Sequence, residues 1–133
     1  MKLLKLTEED KKLIDAARNI ITQNKIQNNK ISCTVGAALI SGNKTYKGIN
    51  LQIETSAPTS ICAEMAAIAQ MVSSGAKMIR IIVAVRANSK TRWDVFQPCG
   101  ACRHIISQFG NPWVIISRTG KARLSELYPM PVK

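Results

Sequence analysis

The run Met-Ile-Arg-Ile-Ile-Val-Ala-Val at positions 78–85 constrains the fold of this chain more than any other stretch. Its β-branched residues fall on both faces of an extended strand, so neither face can be left in water. Such a strand has to lie centrally in a sheet covered on both sides, which requires a layered α/β architecture. The neighbouring segments supply the cover. Leu13, Ile14, Ala17, Ile20 and Ile21 recur at helical spacing behind Thr7-Glu8-Glu9-Asp10, a hydroxyl N-cap with acids in the first turn. That pattern predicts a helix running to about position 24. The Ala-rich stretch 62–73, stopped by Gly75, predicts a second helix, and 99–109, opened by Pro98, a third.

The remaining segments read as strands and turns. Residues 34–40 form another buried strand, and Ser41-Gly42-Asn43 turns it into Lys44-Thr45-Tyr46-Lys47-Gly48-Ile49, a hairpin. A loop with Pro58 and Ser60 leads to the second helix. Positions 86–97 read as a basic loop, 112–117 as a strand, 118–121 as a turn and 124–128 as a last helical turn. Strands that alternate with helices late in the chain imply parallel pairing through right-handed crossovers. The expected fold is a three-layer α-β-α sandwich with a mixed sheet of about five strands. A single domain over 1–133 is expected, since the chain of 133 residues shows no internal repeat, linker or low-complexity tract.

Charge and cysteine usage narrow the function classes. The chain has 19 Lys plus Arg against 8 Asp plus Glu, a net charge of +11. Between positions 65 and 125 stand Lys77, Arg80, Arg86, Lys90, Arg92, Arg103, Arg118, Lys121 and Arg123, with Asp94 the sole acid. A basic half of this kind suits a phosphate-bearing partner and equally a solvated surface, so charge alone names no function. No apolar run approaches the roughly 20 residues that cross a bilayer, so no membrane partner is expected. Met1-Lys2-Leu3-Leu4-Lys5-Leu6 lacks the small-residue cleavage site of a signal peptide. The four cysteines, Cys33, Cys62, Cys99 and Cys102, are therefore expected in a reducing, cytoplasmic setting, where thiols serve metals or catalysis rather than disulfides.

Cys62-Ala63-Glu64 and Pro98-Cys99-Gly100-Ala101-Cys102 each open a predicted helix after a loop that follows a strand. Three thiolates can then converge between two helix N-termini, and Zn(II) is the natural ion for them. Three thiolates and one dication leave an excess charge of −1, which the positive ends of two helices and their free N–H groups offset. His104, the single histidine, lies two residues past Cys102 and is turned roughly 200° away on a helix, so it does not close the site. A fourth position left to water is the arrangement of a catalytic zinc, which can bring the pKa of water from 15.7 to roughly 7. Glu64, two residues beyond Cys62, can accept a proton from that water and pass it to a substrate nitrogen. A Cys-x-Glu followed by Pro-Cys-x-x-Cys is the signature of the zinc deaminases.

At these residues the chain resembles the cytidine deaminase superfamily, and within it the small free-nucleoside branch that includes cytidine deaminase and blasticidin-S deaminase. Val35-Gly36-Ala37-Ala38-Leu39 looks like the family's first strand and Gly48-Ile49-Asn50 like its ribose-binding strand. The two cysteine motifs, the second continuing into Arg103, look like its zinc motifs. The resemblance implies attack of zinc hydroxide on C4 of cytidine or deoxycytidine, giving uridine or deoxyuridine and ammonia. It also implies one Zn(II) per subunit, a homotetramer with a dimer as the alternative, and a place in pyrimidine salvage. Nucleic-acid deaminases of the superfamily generally use His as the first ligand, so Cys62 favours a free nucleoside. Asn50 is implied on a ribose hydroxyl, and backbone N–H groups near Ala63 and Cys99 at the attacked centre.

Several positions depart from the family pattern. The substrate strand usually reads Gly-x-Asn-x-Glu, and here Gln52 takes the Glu position, whereas a shifted register places Glu54 there. The Phe that packs on the base is replaced by Cys33, so stacking falls to Trp93 or Phe96 in the basic loop, or to a neighbouring subunit. Arg86, Lys90 and Arg92 place that loop's charge at the pocket rim, where it would favour an anionic ligand. Met65 stands where an Arg commonly tempers the thiolate charge, as an apolar residue does in blasticidin-S deaminase, and Arg103 is the candidate to compensate. These departures leave open a second substrate class, another aminopyrimidine nucleoside such as a blasticidin-S-like antibiotic or a modified cytidine. A third reading, an RNA-binding protein with a structural zinc, ranks lower, because a polynucleotide binder needs neither an open zinc nor its Glu.

Overall fold

A computed structural model describes residues 3–23, 31–56, 60–87 and 91–130. In chain order the elements begin with β1 (Leu4–Lys5), α1 (Glu8–Gln23), β2 (Ile31–Ser32), β3 (Val35–Ser41), β4 (Lys44–Ile49) and β5 (Gln52–Ile53). They continue with α2 (Ala63–Ser73), β6 (Ile81–Ala87), β7 (Trp93–Phe96), α3 (Gly100–Ser107), β8 (Trp113–Ile115), β9 (Gly120–Arg123) and α4 (Leu124–Leu127). The strand expected to be central over 78–85 is β6, which starts at Ile81 and runs on to Ala87. It runs antiparallel to β3 from Ile81↔Ile40 to Arg86↔Val35 and parallel to β8 at Ile81↔Trp113. The principal sheet has seven strands in the order β1-β9-β8-β6-β3-β4, with β7 also on β6, and β2 and β5 form a separate ribbon.

The period of two along β3 and β6 sorts the core into two layers. Val35, Ala37, Leu39, Ile82 and Ala84 face α2, α3 and α4, where Ala67, Ile68, Met71, Ile106, Leu124 and Leu127 cover them. Ala38, Ile40, Ile81, Val83 and Val85 face Leu13, Ile14 and Ala17 of α1. The expected α-β-α sandwich is therefore present, with more strands than the sequence shows. The segment read as a basic loop contains β7, paired from Ala84↔Phe96 to Ala87↔Trp93. The segment read as a turn leads directly into β9, which pairs with β8 and, at Leu4↔Lys121, with β1. β7 and β9 have four residues each, too few to show an alternation of their own, and they are ordered by a neighbour's free edge.

Two local features seat the helices. Thr7 Oγ1 accepts the Asp10 N–H at 3.2 Å while Asp10 Oδ2 accepts the Thr7 N–H at 2.9 Å, a reciprocal cap that starts α1 where expected. The same carboxylate is fully buried and meets Lys121 Nζ of β9 at 2.7 Å, which ties α1 to the sheet. On the other face, α2 lies directly on β4. A Cβ on Gly48 would stand 2.3 Å from Ala67 N and 2.6 Å from Ala63 O, so only glycine admits this approach. Gly48 thereby sets the height of the α2 N-terminus, and with it Cys62.

Candidate active site

Both helices that carry the cysteine motifs begin one residue later than the sequence suggests. Cys62 and Cys99 are their N-caps, in extended conformation (φ −71° and −68°), and Cys102 lies in the first turn of α3. This places the three sulfurs within 4.8 Å of one another. A tetrahedral zinc with Zn–S distances of about 2.3 Å needs sulfurs roughly 3.8 Å apart, so the donor set fits Zn(II) with small side-chain adjustments. Among the described residues no further Cys, His, Asp or Glu joins the cluster. His104 is turned away, its Nδ1 3.0 Å from the Tyr128 hydroxyl.

The thiols are electrostatically unequal. Burial pushes Cys102 far above the ordinary thiol range, and the Glu64 carboxylate and the other two sulfurs add to the effect. Burial also raises Cys62, partly offset by the Cys102 thiol. Cys99 moves down, because the backbone N–H groups of Cys102 and Ala101 at the start of α3 favour its thiolate. At Cys99, then, helix-terminal N–H groups favour the thiolate, whereas no contact of Arg103 with a sulfur is found among the described residues. The Arg103 guanidinium itself donates to Pro98 O, Leu127 O and Gln97 Oε1 at 2.8, 2.9 and 3.0 Å, fastening the loop before α3 to α4.

Glu64, in the first turn of α2, is 3% exposed. Burial raises its pKa, and its own backbone N–H and the Cys102 thiol hold back part of the rise. It lines a cavity of about 280 Å³ together with Cys62, Ala63, Cys99 and Cys102. The rest of the wall comes from strand ends: Val35, Asn50, Leu51, Gln52, Ser60, Ile61, Arg86 and Phe96. The cavity lies where β6 ends and α2 and α3 begin, the usual ligand position in open α/β sheets.

The substrate-contact candidates separate clearly. Asn50 Oδ1 accepts the Val35 N–H at 2.9 Å, and the Asn50 N–H donates to Val35 O at 3.0 Å. The side-chain amide is thereby oriented, and no hydrogen bond of its Nδ2 is found among the described residues. Gln52 stands on the wall; Glu54 lies in the turn after β5 and does not. Phe96 is on the wall, whereas Trp93, three residues earlier in β7, projects from the opposite face of the sheet. There the indole lies between the Arg18 and Arg118 guanidinium groups, at 4.1 and 3.8 Å. Trp93 therefore does not border the pocket. Arg86 does, Arg92 is exposed away from the wall, and Lys90 lies outside the described residues. Leu51, Ser60 and Ile61 carry no signal in the sequence, because a Leu51↔Ile61 bridge between two loop positions brings them to the mouth.

A layered α/β domain that gathers three thiols and a buried carboxyl around one cavity has, as a class, the donor set of a metal-binding domain with a ligand pocket. Residues 7–118 match the family model described as the cytidine and deoxycytidylate deaminase zinc-binding region. The chain belongs to this family of zinc-binding hydrolytic deaminases. It is 32% identical over 139 aligned positions to the blasticidin-S deaminase of Bacillus cereus, covering 98% of this chain and 96% of that protein. It is 36% identical over 84 residues to the cytidine deaminase of Mycoplasma genitalium, an alignment spanning 63% of this chain and a little over half, 58%, of that relative. The fold is similar to the crystal structure of cytidine deaminase from Mycobacterium leprae, with a TM-score of 0.76, 21% identity, and coverage of 94% of this chain and 100% of that one. No helix among the described residues is long and apolar enough to cross a membrane.

Proposed function

We propose that the protein deaminates a free cytosine nucleoside, cytidine or deoxycytidine, with water, giving uridine or deoxyuridine and ammonia. The observation that carries this reading is the convergence of Cys62, Cys99 and Cys102 within 4.8 Å beside the buried Glu64 on the wall of one cavity. When bound by the three thiolates, Zn(II) supplies the Lewis acidity that makes water a nucleophile near neutral pH. Glu64 takes up the proton that water gives up on attacking C4 and returns it to a substrate nitrogen, so that the amino group leaves as ammonia. Backbone N–H groups near Ala63 and Cys99, at the helix starts, would stabilise the negative charge that develops at the attacked centre.

Towards the mouth, the Asn50 amide would meet a ribose hydroxyl, and Gln52 rather than Glu54 would make a second contact, a reading supported by the position of Asn50 and Gln52 on the cavity wall. Phe96 offers a ring face for the base. Replacing Glu64 with Ala should abolish ammonia release from cytidine while leaving one zinc per chain; retained turnover would overturn this assignment of roles.

A second reading keeps the chemistry and changes the substrate to another aminopyrimidine nucleoside of the blasticidin-S kind. Gln52 in place of a carboxylate, and the near full-length match to a blasticidin-S deaminase, favour it. A panel of aminopyrimidine nucleosides followed by ultraviolet absorbance separates the two, since robust cytidine turnover with no better substrate removes the second.

A further inference from the structure

Among the described residues, Arg86 is the single basic side chain on the cavity wall, and it is exposed where Glu64 is buried. It is the penultimate residue of β6, at the mouth, opposite Val35 on β3 and Asp94 on β7. The cross-strand Asp94 would be its natural partner, yet that carboxylate is engaged by Arg118 Nε at 3.5 Å and by the Val95 N–H at 2.8 Å. No other described carboxylate pairs with Arg86. Its guanidinium instead lies 5.4 Å from the centroid of the Phe96 ring, a second wall residue, which holds the side chain over the opening. A planar, permanently charged fork without a carboxylate partner at a cavity mouth is suited to a carboxylate or phosphate guest.

We infer that Arg86 is a specificity-determining residue that selects nucleosides bearing an anionic group, a carboxylate or a phosphate, on the sugar. The inference rests on the proposed deaminase reading, which sends the amino-bearing ring inward to Glu64 and the cysteines. The sugar is then left at the mouth beside Asn50, Gln52 and Arg86. A neutral nucleoside would leave the guanidinium without an ionic partner, whereas an anionic substituent would gain charge-assisted hydrogen bonds at no cost to the chemistry at C4.

The test pairs turnover with binding on the zinc-loaded protein and its Arg86→Gln and Arg86→Lys variants. Turnover is compared for cytidine, cytidine 5′-phosphate and the cytosine nucleoside oxidised to a 5′-carboxylate. Binding of the corresponding uracil products is measured by calorimetry, which needs no reaction. One of the two anionic forms should outperform the neutral form by about 10- to 100-fold in the parent protein, the range expected for a charge-assisted contact, and which one does so separates phosphate from carboxylate. Arg86→Gln should collapse that ratio towards one, while Arg86→Lys keeps part of it. A ratio near one in the parent protein, or a ratio unmoved by Arg86→Gln, overturns the inference even if cytidine is deaminated. An anionic advantage in product binding that depends on Arg86, without ammonia release from any cytosine nucleoside, supports Arg86 and rejects the deaminase reading instead.

Discussion

Gly48 offers the sharpest test of how the fold sets the chemistry. An alanine there would place its Cβ 2.3 Å from Ala67 N, 2.6 Å from Ala63 O and 2.8 Å from the Ala66 carbonyl carbon, against ordinary contacts of 3.4–4 Å. All three are backbone atoms of α2, so no side chain can swing aside. The shortest contact alone requires α2 to retreat by roughly 1 Å, and overpacking of this kind costs about 1–3 kcal/mol. For a domain of this size that lowers Tm by about 3–12 °C. The retreat also carries Cys62 and Glu64 outward, and a 1 Å misplacement of reacting groups lowers rates by about 100-fold. Thermal unfolding by circular dichroism and kcat/KM for cytidine well below the new Tm measure the two effects. Gly42→Ala is the control: it meets nothing within 4 Å but sits at φ +61° in the hairpin turn. It should lower stability by about 1 kcal/mol without touching the rate. A Gly48→Ala protein with unchanged Tm and kcat/KM, or equal rate losses in both variants, would refute the argument that this contact sets the site.

Two further outcomes follow from the site. Because the Cys62 and Cys102 thiols are held above their ordinary value, metal binding must displace their protons, so apparent zinc affinity should rise with pH across the neutral range. At least two protons released per zinc implies about a hundredfold change per pH unit, read by chelator competition; a flat profile would show the thiols already ionised. Phe96→Leu should raise KM for the nucleoside by about tenfold through lost stacking, whereas Trp93→Phe, on the far face of the sheet, should change it less than about twofold. Equal effects would contradict the placement of β7.

The cysteine cluster and the carboxyl beside it were legible in the sequence because their spacing is local. Cys62 and Glu64 are two residues apart at one helix start, and Cys99 and Cys102 share the first turn of another, so helical geometry alone brings each pair to one end. The central strand was legible for the same kind of reason: Ile81 to Val85 are apolar on both faces and all buried, although the strand begins at Ile81 rather than Met78. The substrate wall was not legible, since it depends on pairings between segments distant in sequence. Positions 93–96 look like basic loop until β6 offers a free edge, and only strand parity then sends Phe96 to the cavity and Trp93 away. Arg86 and Arg103 are chemically alike in the sequence. The fold directs one to the mouth of the cavity and spends the other on three loop and helix acceptors. Short-range spacing thus determined which thiols and which carboxyl share a helix start, and long-range packing decided what they face, because side chains on different strands meet only through the register of the sheet.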